Sequence, residues 1–331
     1  MTVAFTPTQR PHPLPRATWH SRFSVSVRGY ADGHIACRTR HTADVTDAYL
    51  SSSVPVALAH RGGWLIDDQG ERRTELENTA TAFQYAIDLG YTYLETDVHA
   101  TSDGVLMAFH DPTLDRATDM AGAIGGLPHR EVARARVAGR EPVPLLEDLL
   151  GSWPEARFNI DLKADAAVRP LAEVLRRTNA WNRVCVGSFS QSRLDRARRL
   201  LDRPIATSCG PLDVLRLRAA SLSPLLRALA GRVPVCAQIP LWHGSFPVLS
   251  RDLVHTAHRL GLQVHVWTIN EPPVMERLLD AGVDGIVTDD TVALKRLLVR
   301  RGRWTGRTSP ARAARAAGAA GAGNDSPLQN G

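Results

Sequence analysis

Two short apolar segments of the 331-residue chain carry carboxylates inside an otherwise buried pattern. The segment YLETDV places Glu95 and Asp97 two residues apart, and FNIDLK contains Asp161. Residues two apart in a strand point to one face, and a buried carboxylate is costly unless a cation or a partner neutralises it. Three such carboxylates from neighbouring strands would suit one divalent cation, Mg²⁺ or Ca²⁺, better than zinc. The alternative is a buried ion pair of Glu95 or Asp161 with Arg61 or Lys163.

Two of the twelve histidines stand out, because each ends an apolar segment beside a charged neighbour. His60 precedes Arg61, and His110 precedes Asp111. Paired histidines near neutral pH serve as general base and general acid. We therefore predict that His60 and His110 are catalytic, although these residues alone do not say which is the acid.

Two cations are placed where they could bind phosphate. Lys163 ends the FNIDLK segment and is one of only two lysines, the other being Lys295. A compact ammonium suits a phosphate oxygen or a leaving group, and the guanidinium of Arg61 can bind phosphate through two parallel hydrogen bonds. Arg61 and Lys163 are predicted phosphate contacts.

These residues need a scaffold that brings several strand ends together. Strand patterns alternate with helical patterns, which predicts βαβ units and a parallel sheet. Eight strands over this length predict a closed (β/α)₈ TIM barrel, with active-site residues at the carboxyl ends of the strands. An open doubly wound sheet is the alternative. The predicted strands are 56–60, 93–98, 158–163, 184–188, 204–208, 233–238, 262–267 and 285–288, and the clearest helices are 79–89, 169–179, 191–201, 250–260, 273–281 and 291–299.

A small β-hairpin is predicted as an insertion after the second strand. Asp103-Gly104 is a strong two-residue turn signal, so the run 105–110 should return antiparallel. Ser102 then faces Val105, and Asp97 faces His110. The hairpin itself would bring His110 beside the carboxylates, unless the register differs by one step.

Charge and composition divide the chain into three parts. Residues 1–53 carry a net charge of +3, residues 300–331 carry +5, and the body between them carries −2. We expect a poorly ordered extension over 1–53, a barrel domain over 54–300 and a disordered Arg/Ala/Gly-rich tail over 301–331. An acidic body argues against a specific nucleic-acid partner. The basic ends favour at most a weak contact with an anionic membrane surface.

Cysteine usage and hydropathy bear on location. The four cysteines, Cys37, Cys185, Cys209 and Cys236, lie far apart without a CxxC pair, which excludes a disulfide scaffold and fits a reducing compartment. Neither a secretory signal nor an apolar run long enough to span a membrane is present in the sequence. We expect a cytoplasmic protein.

Seven motifs, in order, resemble those of the glycerophosphodiester phosphodiesterase family. They are HRG (60–62), ENT (77–79), LETDVHATSDG (94–104), FHDPTLDRATD (109–119), FNIDLK (158–163), WTIN (267–270) and GVDGIVTD (282–289). The resemblance covers residues 54–299. It implies a barrel phosphodiesterase that converts a small-molecule glycerophosphodiester into glycerol 3-phosphate and an alcohol.

The resemblance also implies roles for individual residues. His60 corresponds to the base and His110 to the acid, and Arg61 and Lys163 correspond to phosphate contacts. The divalent-metal ligands correspond to Glu95, Asp97 and Asp161. Trp267 is interpreted as an apolar wall for the glycerol carbons or, alternatively, as a core residue.

The sequence departs from the family pattern in two places. The third metal ligand is commonly Glu, and Asp161 is one methylene shorter, which affects metal distance or identity. The stretch between HRG and ENT is longer than usual and lacks the proline often found before Glu77. This loop should overhang the site and shape specificity.

Two other functions are compatible with these residues. A related barrel phospholipase acting on lysophospholipids would need an apolar mouth, which loop residues Trp64, Leu65, Ile66, Trp242 and Phe246 could supply. A non-catalytic phosphodiester-binding protein would be expected to lack a histidine or a carboxylate of the cluster. All of these polar positions are filled, which favours an enzyme.

Overall fold

The computed structural model describes residues 49–50, 55–201, 203–223 and 234–307. Within these residues, a unit of one strand followed by one helix occurs eight times. The strands are β1 (Val56–His60), β2 (Tyr93–Ala100), β3 (Arg157–Leu162), β4 (Val184–Gly187), β5 (Ala206–Thr207), β6 (Cys236–Pro240), β7 (Gln263–Trp267) and β8 (Gly285–Thr288).

Each of these strands is followed by a helix, as a parallel barrel requires. The helices are α1 (Ala80–Asp88), α2 (Leu146–Ser152), α3 (Val168–Thr178), α4 (Gln191–Leu200), α5 (Pro211–Leu222), α6 (Arg251–Arg259), α7 (Pro272–Asp280) and α8 (Thr291–Arg300). Shorter helical turns lie at Ile124–Gly126, His129–Val132, Asp165–Ala167 and Trp181–Arg183.

The eight strands form a closed ring. Parallel ladders connect each strand from β1 to β5 with the next, β1 pairs with β8 on its other side, and β7 lies between β8 and β6. The remaining seam between β5 and β6 is closed by a parallel bridge of Ser208 with Cys236, and the Cys209 amide donates to the Cys236 carbonyl at 2.9 Å. The predicted (β/α)₈ barrel is confirmed.

Local sequence signals fix where the helices begin. The side chains of Thr79, Ser190, Ser250 and Asp290 each accept a hydrogen bond from the backbone amide three residues further on, which satisfies an otherwise unpaired donor at the start of a helix. Proline occupies the first turn of α5 and of α7, where its fixed φ favours the helix and its missing N–H costs nothing.

The interior of the barrel is apolar at the amino end of the strands. Its side chains come from six strands and the segment before β6, and they are Val56, Leu58, Tyr93, Cys185, Ala206, Val235, Cys236 and Val287. Tyr49 and Leu50, inside the predicted N-terminal extension, are buried in the same cluster, and the Tyr93 hydroxyl donates to the Tyr49 carbonyl at 2.9 Å. These two residues therefore belong to the folded body, while 1–48 lie outside the described residues.

The insertion after β2 contains the expected hairpin, but with a different register. The short strand Leu106–Ala108 pairs antiparallel with β2, placing Val98 opposite Ala108 and Ala100 opposite Leu106. Asp97 accepts the backbone amide of Phe109 rather than facing His110, so the predicted register is wrong by one residue. The reason is a longer turn, which Thr101 closes through its hydrogen bonds with Val105 and which Gly104 allows with a φ of +83°.

Two further features complete the described fold. Three short antiparallel strand pairs lie in the loops: Leu65–Ile66 with Arg72–Arg73, Arg136–Val137 with Glu141–Pro142, and Trp242–His243 with Phe246–Pro247.

Residues 301–307, predicted as the start of the tail, instead contact the body: the Trp304 ring packs on Tyr91, and the Arg307 amide donates to the Gly90 carbonyl. Within the described ranges, no helix combines the length and apolarity needed to cross a bilayer.

Candidate active site

His60 is the last residue of β1 and forms a hydrogen-bonded pair with an acidic residue after β8. Its Nδ1 lies 2.6 Å from Oδ1 of Asp289, so Nδ1 is the protonated nitrogen of the neutral ring. The amide of Asn270 donates to Asp289 Oδ2 at 2.9 Å and so fixes the carboxylate. Burial alone would lower the pKa of His60, but the hydrogen bond to Asp289 and the charge of Glu95 outweigh it and raise this pKa.

His110 forms a second histidine–aspartate pair on the inserted hairpin. Its Nδ1 lies 2.6 Å from Oδ1 of Asp111, and Arg116 Nε donates to Oδ2 of the same carboxylate at 2.5 Å. The His99 ring, on β2, lies 3.1 Å from the His110 carbonyl through Nε2. Burial lowers the pKa of His110, and the positive charges of Arg61 and Lys163 act in the same direction.

The three predicted carboxylates are brought together by strand pairing. His60 is the ladder partner of Glu95, and Asp97 is the ladder partner of Asp161. All three carboxylates are buried. Glu95 Oε2 lies 3.8 Å from His60 Nε2 and accepts the backbone amide of Arg61 at 3.1 Å. The histidine, the acids and the arginine therefore meet at one end of the barrel, as predicted.

Two cations lie among these carboxylates. Lys163 Nζ is 2.8 Å from Asp97 Oδ1 and 2.7 Å from Asp161 Oδ2. Arg61 Nε lies 2.9 Å from Asp97 Oδ2, an ion-pair distance without hydrogen-bond geometry. Burial would raise the pKa of Asp97, but Lys163 and Arg61 hold it well below its usual value. The ion-pair arrangement is thus present at Asp97 and Asp161.

Whether the site suits a metal ion can be judged from the oxygens that have no hydrogen-bond partner. Among the described residues, no group of three or more His, Cys, Asp and Glu side chains is arranged to hold a metal ion. However, Asp161 Oδ1 and Asn159 Oδ1 are buried on one face of β3 without a hydrogen-bond partner. Burial, followed by the charge of Asp97, raises the pKa of Glu95 to about 7. A divalent cation would satisfy these oxygens and the ionised Glu95, so the donor set fits one.

An aromatic pair lies beside the ammonium of Lys163. Trp267, the last residue of β7, is half-buried and packs against the apolar barrel interior. Its ring contacts Phe189 edge-on with centroids 5.4 Å apart, and Lys163 Nζ lies 5.4 Å from the Phe189 ring centroid. Trp267 therefore contacts the apolar interior, and its predicted contact with the glycerol carbons stays a prediction.

Several residues of the site were not anticipated from the sequence. Asp289 and Asn270 orient His60, and Asp111 and Arg116 orient His110. Glu77 accepts from Arg61 at 3.1 Å and also binds Arg116, so it joins the two halves of the site. The available signal was position, since Asn270 and Asp289 are the last residues of the final two motifs, within three residues of a strand end.

The fold and the site define a class. A closed (β/α)₈ barrel carries two histidine–aspartate pairs together with buried carboxylates, an arginine and a lysine. That arrangement is typical of enzymes that perform acid–base chemistry on an anionic substrate.

Comparison with known proteins gives the family. Residues 60–293 match the model of the glycerophosphoryl diester phosphodiesterase family, and the chain belongs to this family. It is 42% identical over 265 residues to a probable glycerophosphodiester phosphodiesterase 2 of Mycobacterium tuberculosis, which covers 79% of this chain and 97% of that protein. The predicted family and the predicted enzyme class, a phosphoric diester hydrolase, are confirmed.

Two more distant proteins are also similar. A human lysophospholipase D is 26% identical over 275 residues, covering 73% of this chain and 85% of that protein. The crystal structure of a putative glycerophosphoryl diester phosphodiesterase from Silicibacter pomeroyi superposes with a TM-score of 0.63 at 23% identity, covering 80% of this chain and all of that one. At this level of identity, the likeness to the Silicibacter pomeroyi structure shows the fold alone.

Proposed function

We propose that the protein hydrolyses small-molecule glycerophosphodiesters to glycerol 3-phosphate and an alcohol, with a divalent cation and histidine acid–base catalysis. One observation supports the proposal most directly: both histidines have Nδ1 hydrogen-bonded to an aspartate, which leaves Nε2 of each neutral ring as the nitrogen that can accept a proton. The name of the Mycobacterium tuberculosis relative supports the same substrate class.

The phosphate would lie against the cationic side of the site. Arg61 and Lys163 would neutralise the charge that builds up on its oxygens in the transition state, where preorganised donors contribute most. Glu95, Asp97 and Asp161 would hold Mg²⁺ or Ca²⁺, which supplies Lewis-acid stabilisation of the phosphoryl oxygens when bound. Binding an ion would require Lys163 to share its two carboxylate partners.

The histidines would move the protons. His60 is proposed to deprotonate the nucleophile, either water or the adjacent glycerol hydroxyl, and His110 to protonate the departing alkoxide. The pKa shifts are opposite to those that suit these roles, because the pKa of His60 is raised and that of His110 is lowered. A cation held by Glu95 would oppose the shift at His60, since a positive charge favours the neutral imidazole.

The first experiment is a product assay. Release of glycerol 3-phosphate is measured from glycerophosphocholine and glycerophosphoethanolamine with Mg²⁺, with Ca²⁺ and with EDTA. We expect release with at least one cation and none with EDTA. Product formation in EDTA at the same rate would contradict the role of the metal.

The histidine variants test the acid–base roles. His60→Ala and His110→Ala should each lose nearly all turnover while keeping the wild-type circular dichroism spectrum. His258→Ala is the matched control, because His258 also pairs with an aspartate, Asp284, at 2.7 Å, but lies outside the site. Wild-type turnover in either His60→Ala or His110→Ala would rule out that assignment.

A second substrate class is favoured by one observation. Trp242 and Phe246 are 39% and 56% exposed on the loop after β6, whereas Trp64, Leu65 and Ile66 are only partly exposed. An apolar loop beside the mouth suits lysophospholipids, the substrate class that the name of the human relative indicates.

The remaining expectations concern location and partners. We infer a cytoplasmic protein, which the free thiols of Cys185, Cys209 and Cys236 support. The absence of a specific nucleic-acid partner and the weak membrane contact through basic ends stay predictions, because residues 1–48 and 308–331 lie outside the described residues.

A further inference from the structure

Three uncharged residues face the barrel interior on β4, β5 and β6, directly above the apolar cluster. That cluster includes one residue from each of these strands, and the residue two positions further along a strand points to the same face. The three residues are Gly187 at the end of β4, Ser208 directly after β5, and Gln238 within β6. We refer to them as the polar cup.

The polar cup has space because Gly187 has no side chain. A Cβ at this position would lie 3.1 Å from Ser208 Oγ and 4.0 Å from Gln238 Oε1, so both polar side chains border the same space. The backbone itself does not require glycine here, since the φ of Gly187 lies outside the left-handed region. A glycine inside a strand often marks a place where a ligand approaches the backbone closely.

The side-chain amide of Gln238 has a donor that nothing in the described structure uses. Its Nε2 is buried and lacks a hydrogen-bond partner among the described residues, and a buried donor of this kind is uncommon in folded proteins. The divalent cation proposed above would account for the unpaired oxygens of Asn159 and Asp161, but a cation cannot accept a hydrogen bond. Gln238 Nε2 therefore calls for an oxygen from another molecule.

The polar cup lies next to the predicted phosphate contacts. Gly187 is the ladder partner of Asp161, and Asp161 Oδ2 lies 2.7 Å from Lys163 Nζ. In the ring of eight strands, β5 lies opposite β1, so the cup is across the barrel from the histidine that ends β1. A substrate with its phosphate at Lys163 therefore extends one of its two alcohol groups into the cup.

The chemistry of the cup selects which alcohol group enters it. None of the three cup residues is charged, so they suit a neutral hydroxyl rather than a phosphate oxygen or an ammonium group. The headgroup alcohol differs in size and charge among glycerophosphodiesters, whereas the glycerol is common to all of them. A small space bounded by two fixed strands and an uncharged amide suits the constant part of the substrate.

We propose that Gln238 determines specificity for glycerol, because its Nε2 donates a hydrogen bond to the terminal glycerol hydroxyl in the polar cup. Ser208 Oγ borders the same space and accepts the proton of that hydroxyl. The inference rests on the proposed phosphodiesterase function and deepens it by naming the residue that selects the glycerol end. The other glycerol hydroxyl, beside the phosphate-bearing carbon, is the candidate nucleophile and stays near the histidines.

The test uses two diesters that differ by one hydroxyl. Glycerophosphocholine is compared with propane-1,2-diol 1-phosphocholine, which lacks the terminal hydroxyl and keeps the one beside the phosphate-bearing carbon. For the wild type, kcat/KM should be at least about tenfold higher for glycerophosphocholine, because the analogue leaves a buried donor unpaired. Gln238→Leu should lose about tenfold on glycerophosphocholine and change by less than about twofold on the analogue, so that the preference disappears.

The matched control is Gln263→Leu, which alters a glutamine at the amino end of β7 and should keep the wild-type ratio of the two substrates. Gly187→Ala is a second variant, since its methyl group would occupy the cup without removing the amide. It should lower kcat/KM for glycerophosphocholine by about tenfold and for the smaller analogue by less. Equal losses on both substrates in Gln238→Leu and in Gly187→Ala would indicate a structural role and overturn the proposal.

A binding measurement separates this inference from the proposed function. Isothermal titration calorimetry with glycerol 3-phosphate and with propane-1,2-diol 1-phosphate needs no turnover. The wild type should bind glycerol 3-phosphate about tenfold more tightly, and Gln238→Leu should bind the two equally. If the wild type cleaves neither diester, the proposed function fails, while calorimetry still decides the role of Gln238. Equal binding of the two phosphates by the wild type would assign the cup to solvent and overturn the proposal.

Discussion

At the scale of single residues, the two histidines have similar partners but different surroundings. Asp289 is fixed by the amide of Asn270, whereas Asp111 is shared with Arg116. The hydrogen bond from His60 lowers the pKa of the Asp289 carboxyl against the effect of burial, so this carboxyl is held ionised. Orientation of His60 should therefore depend mainly on Asp289.

Asp289→Asn tests this dependence. The Asn270 amide donates to the Oδ2 position, so the single oxygen of the new amide would lie there and its NH₂ group would face His60 Nδ1. His60 would then adopt the wrong tautomer, and kcat should fall by about a hundredfold to ten-thousandfold. KM should change much less, because the described structure gives the Asp289 side chain hydrogen bonds to His60 and Asn270 and none to Arg61 or Lys163. Steady-state kinetics on glycerophosphocholine measures both constants. Asp284→Asn, which alters the His258 pair outside the site, is the control and should leave kcat unchanged.

His258 gives a pH-dependent prediction about stability. Its hydrogen bond to Asp284 raises its pKa despite burial, so the folded state binds the proton more tightly than the unfolded state. This stabilisation is fully present below the unfolded pKa, about 6.5, and is lost as pH rises through the higher folded pKa. His258→Gln should lower the free energy of unfolding by about 0.5 kcal/mol under acidic conditions, given partial exposure, and by less under alkaline conditions. Urea unfolding at both conditions checks the trend; a loss that grows with pH would contradict it.

At the scale of elements, periodicity predicted much of the barrel. β1 and β8 match their predicted bounds, and β7 differs by one residue, because each is a short apolar run between clear turns. β5 is only two residues long, and its predicted run extends beyond it at both ends. The helices α2 and α5 were not among the clear patterns. α5 exposes Leu212, Leu215 and Leu222, so its apolar residues do not form one stripe.

The arrangement of the elements also explains which parts of the site could not be predicted from the sequence. His60 and Asp289 are 229 residues apart, and their contact exists only because β8 closes the ring beside β1. Strand ends predicted where His60 lies but not which partner faces it. The register of the inserted hairpin was also wrong by one residue, since turn length depends on the hydrogen bonds of Thr101 and not on the Asp103-Gly104 pair alone.

Packing between β7 and β8 supplies a prediction about one glycine. The ring of His265 lies so close to Gly285 that an added Cβ would be 2.6 Å from His265 Cδ2. Gly285→Ala should lower the free energy of unfolding by about 1–3 kcal/mol, because the buried ring has little room to move. Gly151→Ala is the matched control: nothing lies within 4 Å of that position in α2, and the change should stabilise by about 0.5–1 kcal/mol. Equal effects in chemical denaturation would show that the contact is not restrictive.

At the scale of the whole molecule, the apolar residues that stabilise the fold and the residues proposed for catalysis lie at opposite ends of the barrel. The amino end is filled by apolar side chains and closed by Tyr49 and Leu50, while the carboxyl end carries every predicted site residue. A change at the amino end should therefore alter unfolding without altering turnover. The segment after α8 allows this separation to be tested.

Trp304→Ala is the change we would make. The half-buried Trp304 ring lies 5.2 Å from the ring of Tyr91, centroid to centroid, and 5.5 Å from Lys295 Nζ. The segment after α8 is therefore packed against the connection before β2. Its loss should lower the free energy of unfolding by about 2 kcal/mol, less than for a fully buried tryptophan, and leave kcat unchanged. Trp242→Ala, on the exposed loop after β6, is the counterpart and should leave stability nearly unchanged. If Trp304→Ala instead lowered kcat at constant stability, the two ends would be coupled, and the separation of stability from chemistry would not hold.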